Sequence, residues 1–136
     1  MDGSQFSLEV VTLKRVIFSG IVEGVVAPGT DGYFGILKDH TPFISSLQPG
    51  TFTLTLPEGK RKTMAIGGGF LLTNGNKVIV LADSAEDPRE IDPDRARASR
   101  DRAEKRLREV SPDVDVVRAK ASLARALARL KVAGAS

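Results

Sequence analysis

The hydrophobic pattern of this chain changes period once, near Asp87-Pro88, and that change demands two differently built parts. Upstream, apolar residues alternate. Phe6, Leu8 and Val10 interleave with Ser7, Glu9 and Val11, and Phe52, Leu54 and Leu56 interleave with Thr51, Thr53 and Thr55. A period of two belongs to a strand with one dry face. Downstream, Ala96, Ala103, Leu107 and Val110 are spaced 7, 4 and 3 apart, and Val116, Leu123, Leu127 and Leu130 repeat that spacing. This is the stripe of an amphipathic helix. Composition shifts at the same place: Tyr33 and all six phenylalanines lie at or before Phe70. Residues 1–86 hold 7 Lys/Arg against 8 Asp/Glu (net −1), whereas residues 87–136 hold 13 against 9 (net +4), with 10 arginines among the 13. Two domains are expected, a β domain over 1–86 and a helical one over 87–136.

In the first part, strand-like runs fall at Val16–Glu23, Val25–Ala27, Tyr33–Leu37, Thr51–Leu56, Arg61–Ile66, Phe70–Thr73 and Lys77–Ala82. Turn residues separate them: Pro28-Gly29, Asp31-Gly32, Pro49-Gly50, Pro57-Glu58-Gly59 and Asn74-Gly75. Asn-Gly between two strand runs is a hairpin signal, because a type I′ turn needs positive φ at both centres. Many short strands at this spacing predict a sandwich or barrel. In the second part, Asp92 suits an N-cap, Pro93 the first helical position and Asp94 the positive end of the helix dipole. Ser111-Pro112-Asp113 is expected to end this helix and cap the next. A short link between two stripes predicts an antiparallel hairpin. The fold class is therefore α+β: an N-terminal β-sandwich (flattened barrel) followed by a C-terminal antiparallel two-helix hairpin. Alanine contributes far less on burial than the ~1.5–3 kcal/mol of a leucine, so an alanine-rich hairpin should be held weakly.

Several classes are excluded or disfavoured. The 136 residues include no cysteine, so there is no disulfide framework and no thiolate metal site. The longest apolar run, Val78–Ala82, falls far short of the ~20 residues of a membrane helix. Asp2 and Glu9 stand where a secretory leader carries cations and then an apolar stretch, which points to a cytoplasmic chain reaching any membrane through a partner. No catalytic or metal residues are expected.

Two features invite a chemical reading. Arg95, Arg102 and Arg106 are spaced 7 and 4 apart, as are Arg118, Arg125 and Arg129, so each trio lines one helical face with few acids beside it. A solvated face with i,i+4 ion pairs is the plain alternative; guanidinium rows otherwise suit phosphates or an acidic protein surface. Gly67-Gly68-Gly69 lacks the Gly-Lys-Ser/Thr ending of a phosphate loop and precedes a strand, so it reads as a turn or bulge. His40 is the only histidine and has no identifiable nucleophile or orienting partner, leaving an interface role. Glu86, Asp87 and Glu90 cluster at the junction and read as linker solvation.

The segment Gly32-Tyr33-Phe34-Gly35-Ile36-Leu37-Lys38-Asp39-His40-Thr41-Pro42-Phe43, followed by Leu47-Gln48-Pro49-Gly50, resembles the signature loop of the epsilon subunits of bacterial F-type ATP synthases. Ile66-Gly67-Gly68-Gly69-Phe70, Asn76–Asp83, Ala85-Glu86 and the Ala/Arg-rich hairpin resemble the same family, in the same order along nearly the whole chain. The resemblance implies a non-catalytic rotor subunit of the central stalk, on the cytoplasmic side of the plasma membrane as a peripheral component. Its sandwich would pack on the gamma subunit and touch the c-ring near His40, helping to couple proton-driven rotation to ATP synthesis. Its hairpin would either fold on the sandwich or extend into the catalytic alpha/beta head and inhibit ATP hydrolysis.

Some members of that family bind ATP, as a regulatory ligand, through Ile/Leu-Asp-x-x-Arg-Ala. Here Ile91-Asp92-Pro93-Asp94-Arg95-Ala96 satisfies that motif. Glu86, Arg102, Arg125 and Arg129 match the supporting positions, so the resemblance implies four guanidiniums around a triphosphate, with the part played by magnesium left open. The rival reading is a basic nucleic-acid-binding module, suggested by the sequence pI of about 9.4 and the arginine rows. The near-neutral sheet half and the lack of a nucleic-acid motif rank it lower.

Overall fold

In the computed structural model, residues 4–37, 41–74, 76–109 and 111–135 are described. Eight strands come first: β1 (Phe6–Val11), β2 (Val16–Val22), β3 (Gly24–Gly29), β4 (Gly32–Ile36), β5 (Phe43–Thr55), β6 (Arg61–Thr73), β7 (Lys77–Ala82) and β8 (Ala85–Glu86). A short 3₁₀ turn, Pro88–Glu90, leads to helices α1 (Pro93–Arg108) and α2 (Val116–Val132). The expected sandwich and hairpin are both present.

The strands form one sheet in the order β2-β1-β7-β6-β5-β3-β4, with β8 added to β6. All pairings are antiparallel except β1 with β7. The sheet closes into two layers because β5 and β6 are long and bend together. Residues 43–47 pair with 69–73, and 49–55 pair with 61–67. The bend lies where the sequence suggested turns, so Pro49-Gly50 and Gly67-Gly68-Gly69 are hinges within two continuous strands, not breaks between shorter ones. Glycine is required there. Gly69 has φ +139°, and a Cβ on it would stand 2.1 Å from the Leu81 carbonyl oxygen. A Cβ on Gly50 would stand 2.7 Å from the Tyr33 hydroxyl. Pro28-Gly29 likewise ends β3 and does not interrupt it.

The inner faces share one core, with Phe6, Leu8, Val10, Phe52, Leu54, Leu71, Val78 and Val80 fully buried. Each such side chain stabilises the sandwich by ~1.5–3 kcal/mol. At the β6–β7 hairpin, the Asn74 amide donates to the Lys77 carbonyl and the Lys77 amide to Asn74 Oδ1; Gly75 lies outside the described residues.

Asp92 caps α1 as expected, its Oδ1 accepting the amides of Asp94 (3.0 Å) and Arg95 (3.3 Å). The second cap differs from expectation. Asp115 Oδ1 accepts the Arg118 amide at 3.0 Å and starts α2, while Ser111 only closes a turn with Val114. A carboxylate nearer the first helical residue displaced Ser111 from that role. The leucine stripe is also corrected. Leu127 is 48% exposed, and α2 buries Ala119, Ala126, Ala128 and Leu130. The reason is that α2 is packed on two sides, against α1 and against β5 and β6. Small side chains allow both approaches.

The seat for α2 is the outer face of the second layer, where Thr51, Ala65 and Glu86 lie side by side across three strands. Ala65 meets Ala128 and Ile91 there, with Val132 and Ala133 packed against them. Among the described residues, no helix is long and apolar enough to cross a membrane.

Candidate functional site: a guanidinium-lined groove at the hairpin root

Three chain segments converge beside the start of α1. β8 and the 3₁₀ turn bring Glu86 and Glu90. The first three turns of α1 bring Asp92, Arg95, Ala96, Ser99 and Arg102, and the last turn of α2 brings Arg129. Between them lies a groove of ≈ 330 Å³, at the small end of the ~300–1,000 Å³ typical of small-molecule sites. The helical rise puts Arg95, Ser99 and Arg102 on one face of α1, and the antiparallel return of α2 places Arg129 opposite them.

The charges are not equivalent. Arg129 Nε donates to Glu86 Oε1 at 2.6 Å, with side-chain exposures of only 29% and 28%. Arg102 Nη2 donates to Ser99 Oγ at 3.0 Å. The Arg95 guanidinium is exposed and makes no hydrogen bond or ion pair with the described residues. The ion pairs on α1 use Arg97 and Arg100. Among the described residues, Arg95, Arg102 and Arg106 are thus a row that forms no ion pair. Ala96, buried to 3% exposure, lets α2 come close enough for Arg129 to face them.

Glu90 stands at the back of the groove. Its Oε1 accepts the Asp87 amide at 3.1 Å, and its Oε2 accepts the Arg15 guanidinium. The Asp87 amide holds the Glu90 carboxyl below its ordinary pKa; burial opposes it, and the Arg15 guanidinium adds a further lowering. Asp87 is lowered too, first by the Arg89 side chain and then by the Arg89 amide. Both acids are charged at neutral pH.

Of the eight residues expected at a nucleotide site, six line this groove: Glu86, Asp92, Arg95, Ala96, Arg102 and Arg129. Ile91 does not. It turns under the groove, 8% exposed, and packs on Ala65 and Ala128. Arg125 does not line it either. Its Nη2 donates to Ser122 Oγ at 3.0 Å, and its Cδ lies 3.4 Å from where a Cβ on Gly67 would be. Three guanidiniums therefore face the groove, with Arg125 over the sheet. His40 lies outside the described residues. Sequence reasoning missed Ser99 and Glu90. Ser99, four residues beyond Arg95, carried a positional signal on the same helical face; the junction acids were visible but read as solvation.

Known families account for this arrangement in two parts. Residues 5–88 match the beta-sandwich domain of the ATP synthase delta/epsilon chain, and residues 89–134 match the long alpha-helix domain of the same chain. The ATP synthase epsilon chain of Moorella thermoacetica is 47% identical over 97% of this chain and 98% of its own length. That of Nitratidesulfovibrio vulgaris (strain DP4) is 46% identical over 93% and 94%, and that of Syntrophomonas wolfei 43% over 96% and 96%. A chain in the OSCP/F1/c-ring structure of Euglena gracilis mitochondrial ATP synthase shares the fold, with a TM-score of 0.82 at 21% identity over 96% of this chain and 81% of that one.

The class so defined is a β-sandwich carrying a helical hairpin, built as a non-catalytic subunit. The chain belongs to the ATP synthase delta/epsilon chain family, among the bacterial epsilon chains.

Proposed function

We propose that this chain is a central-stalk rotor subunit of a proton-translocating ATP synthase, whose hairpin, docked on the sandwich or released from it, inhibits ATP hydrolysis when released and is held folded by ATP. The observation that carries the ATP part is the convergence of Arg95, Arg102 and Arg129, from two helices, on one groove. Charge-assisted hydrogen bonds contribute ~1.5–3 kcal/mol each before competition is counted. Here Glu86 competes for Arg129. A ligand at ~100 times its Kd favours the binding state by ~2.7 kcal/mol, short of the ~5.5 kcal/mol of a full switch. ATP thus biases the hairpin without locking it.

The rotor part is supported by the outer face of the first layer. Phe70 and Leu81 lie directly opposite one another, and Leu81 is followed by Val11 and Val16 across the strands. Phe70, Leu81 and Val16 are 52%, 47% and 59% exposed, and Ile44 on β5 is 71% exposed. A contiguous apolar face across five strands suits a permanent protein partner, which we assign to the gamma subunit. The c-ring contact is assigned to the loop around His40. The extended hairpin would offer its arginines to the alpha/beta head, and the subunit would be peripheral on the cytoplasmic side of the membrane, with no direct insertion.

The test is calorimetric titration of the whole protein with ATP, with and without magnesium, in the wild type and in Arg95→Ala and Arg129→Ala. Binding that is lost in both variants is expected. Unchanged affinity in both rules out the groove, and salt-dependent binding of generic duplex DNA in its place would favour the nucleic-acid reading.

A further inference from the structure

We infer that the Arg15–Glu90 pair clamps residues 87–90 to the sandwich, so that the hairpin pivots at Ile91–Asp92, downstream of the clamp. This rests on the docked-and-released reading above.

Both ends of the clamp are built before the bond forms. Arg15 closes a turn in which the Thr12 amide donates to the Arg15 carbonyl (2.9 Å) and Thr12 Oγ1 accepts the amides of Lys14 (3.2 Å) and Arg15 (3.3 Å). Glu90 is held in a capping box with Asp87: the Glu90 amide donates to the Asp87 carbonyl (2.9 Å), and the Asp87 amide donates to Glu90 Oε1 (3.1 Å). Exposed ion pairs are weak largely because two long side chains must be ordered. Here the carboxylate and the backbone of Arg15 are already ordered.

Every step upstream of Ile91 is fastened to the sandwich body. Ala85 and Glu86 pair with Ile66 and Ala65, the box fixes 87–90, and Arg15 fixes the box. Ile91 and Asp92 differ. Both are extended (φ −92°, ψ 127° and φ −91°, ψ 108°) between two helical turns. Beyond them, among the described residues, the ties to the sandwich include separable side-chain contacts: Ile91 and Ala128 against Ala65 with Val132 and Ala133 beside them, Arg129 with Glu86, and Arg125 over Gly67. Rotation about two residues releases these together and leaves the ladder, box and clamp intact. The groove is then cut at the pivot. Glu86 and Glu90 stay with the sheet, while Arg95, Arg102 and Arg129 leave with the hairpin.

The chain has no cysteine, so paired spin labels report single sites. Labels at exposed Glu58 and Lys105 follow the hairpin, and labels at Glu58 and exposed Arg89 follow the linker. Measured on the full chain with and without ATP, and again with Arg129→Ala to favour release, the 58–105 distance should show two populations and the 58–89 distance one. Arg15→Ala should split the 58–89 distance as well, and Arg15→Lys should restore the single one. A 58–89 distance that splits while Arg15 is intact, or stays single in Arg15→Ala, overturns the clamp. A single 58–105 distance throughout overturns clamp and release together. ATP affinity measured on the same samples judges the nucleotide site separately.

Discussion

The pair Arg129–Glu86 is the ionic tie that spans the pivot, and its worth is open to a double-mutant cycle. At 2.6 Å it is a charge-assisted hydrogen bond, and both side chains are less than a third exposed. Fully exposed pairs contribute ~0.2–1 kcal/mol and hydrogen bonds to charged groups ~1.5–3 kcal/mol. The observed burial places this pair between them, at about 1–2 kcal/mol of coupling, or a factor of roughly 5–30 in the docked-to-released ratio. Glu86→Gln, Arg129→Gln and the double variant would be compared with the wild type, without nucleotide, by fluorescence transfer between labels at positions 58 and 105. Arg129→Gln should lower the docked fraction more than Glu86→Gln does, because it leaves a partly buried carboxylate without its partner, whereas a freed Arg129 can reach water. Distant, independent sites add to within ~0.3–0.5 kcal/mol. A coupling inside that margin would mean that the bond is incidental and that packing alone holds the hairpin.

Gly69→Ala should destabilise the sandwich by more than ~2 kcal/mol, seen as a lower Tm, because left-handed strain adds to a Cβ only 2.1 Å from the Leu81 carbonyl oxygen. Ala128→Leu should loosen docking by ~1–3 kcal/mol through overpacking against Ala65 and Ile91, with the melting of the sandwich itself unchanged. Asp92→Ala should cost α1 about 0.5–2 kcal/mol of capping, with Asp92→Asn retaining most of it by circular dichroism. Acid should act late. Folded pKa values of Asp87 and Glu90 lie below their ordinary 3.8 and 4.5, so the box and clamp contribute fully above pH 4.5 and fade as pH falls through the folded values. A 58–89 distance that splits between pH 7 and 5 would contradict this.

The periodicities made the two-part fold legible because burial imposes them directly: one dry face per strand, one stripe per helix. They failed where two constraints met. Pro49-Gly50 and Gly67-Gly68-Gly69 carry turn chemistry, yet they serve as the bend of strands that continue into a second layer. Only the pairing of 43–47 with 69–73 reveals this. The leucine stripe on α2 was only partly right, since Leu130 is buried but Leu127 is 48% exposed, and the helix, packed on two sides, gives most of its close contacts to the alanines that the sequence led one to expect. Most of the groove was legible as a motif, because Asp92, Arg95 and Arg102 are local to one helix and Arg129 matched a supporting position. Arg125 shared the face of Arg129 in the sequence pattern, but one turn along α2 already carries it over Gly67 and away from the groove. Arg15 was invisible, being separated from Glu90 by 75 positions.

The placement of the arginines has a consequence for what a bound anion reports. Arg95 and Arg102 belong to α1 and Arg129 to α2, and none belongs to the sheet. An anion gripped by these three alone is therefore a staple between two neighbouring helices, carried along wherever they travel as a pair. It opposes their splaying apart, and opposes departure from the sheet only so far as departure and splaying are one event. Nucleotide would then measure whether the arm is folded, with its berth on the sandwich read at second hand.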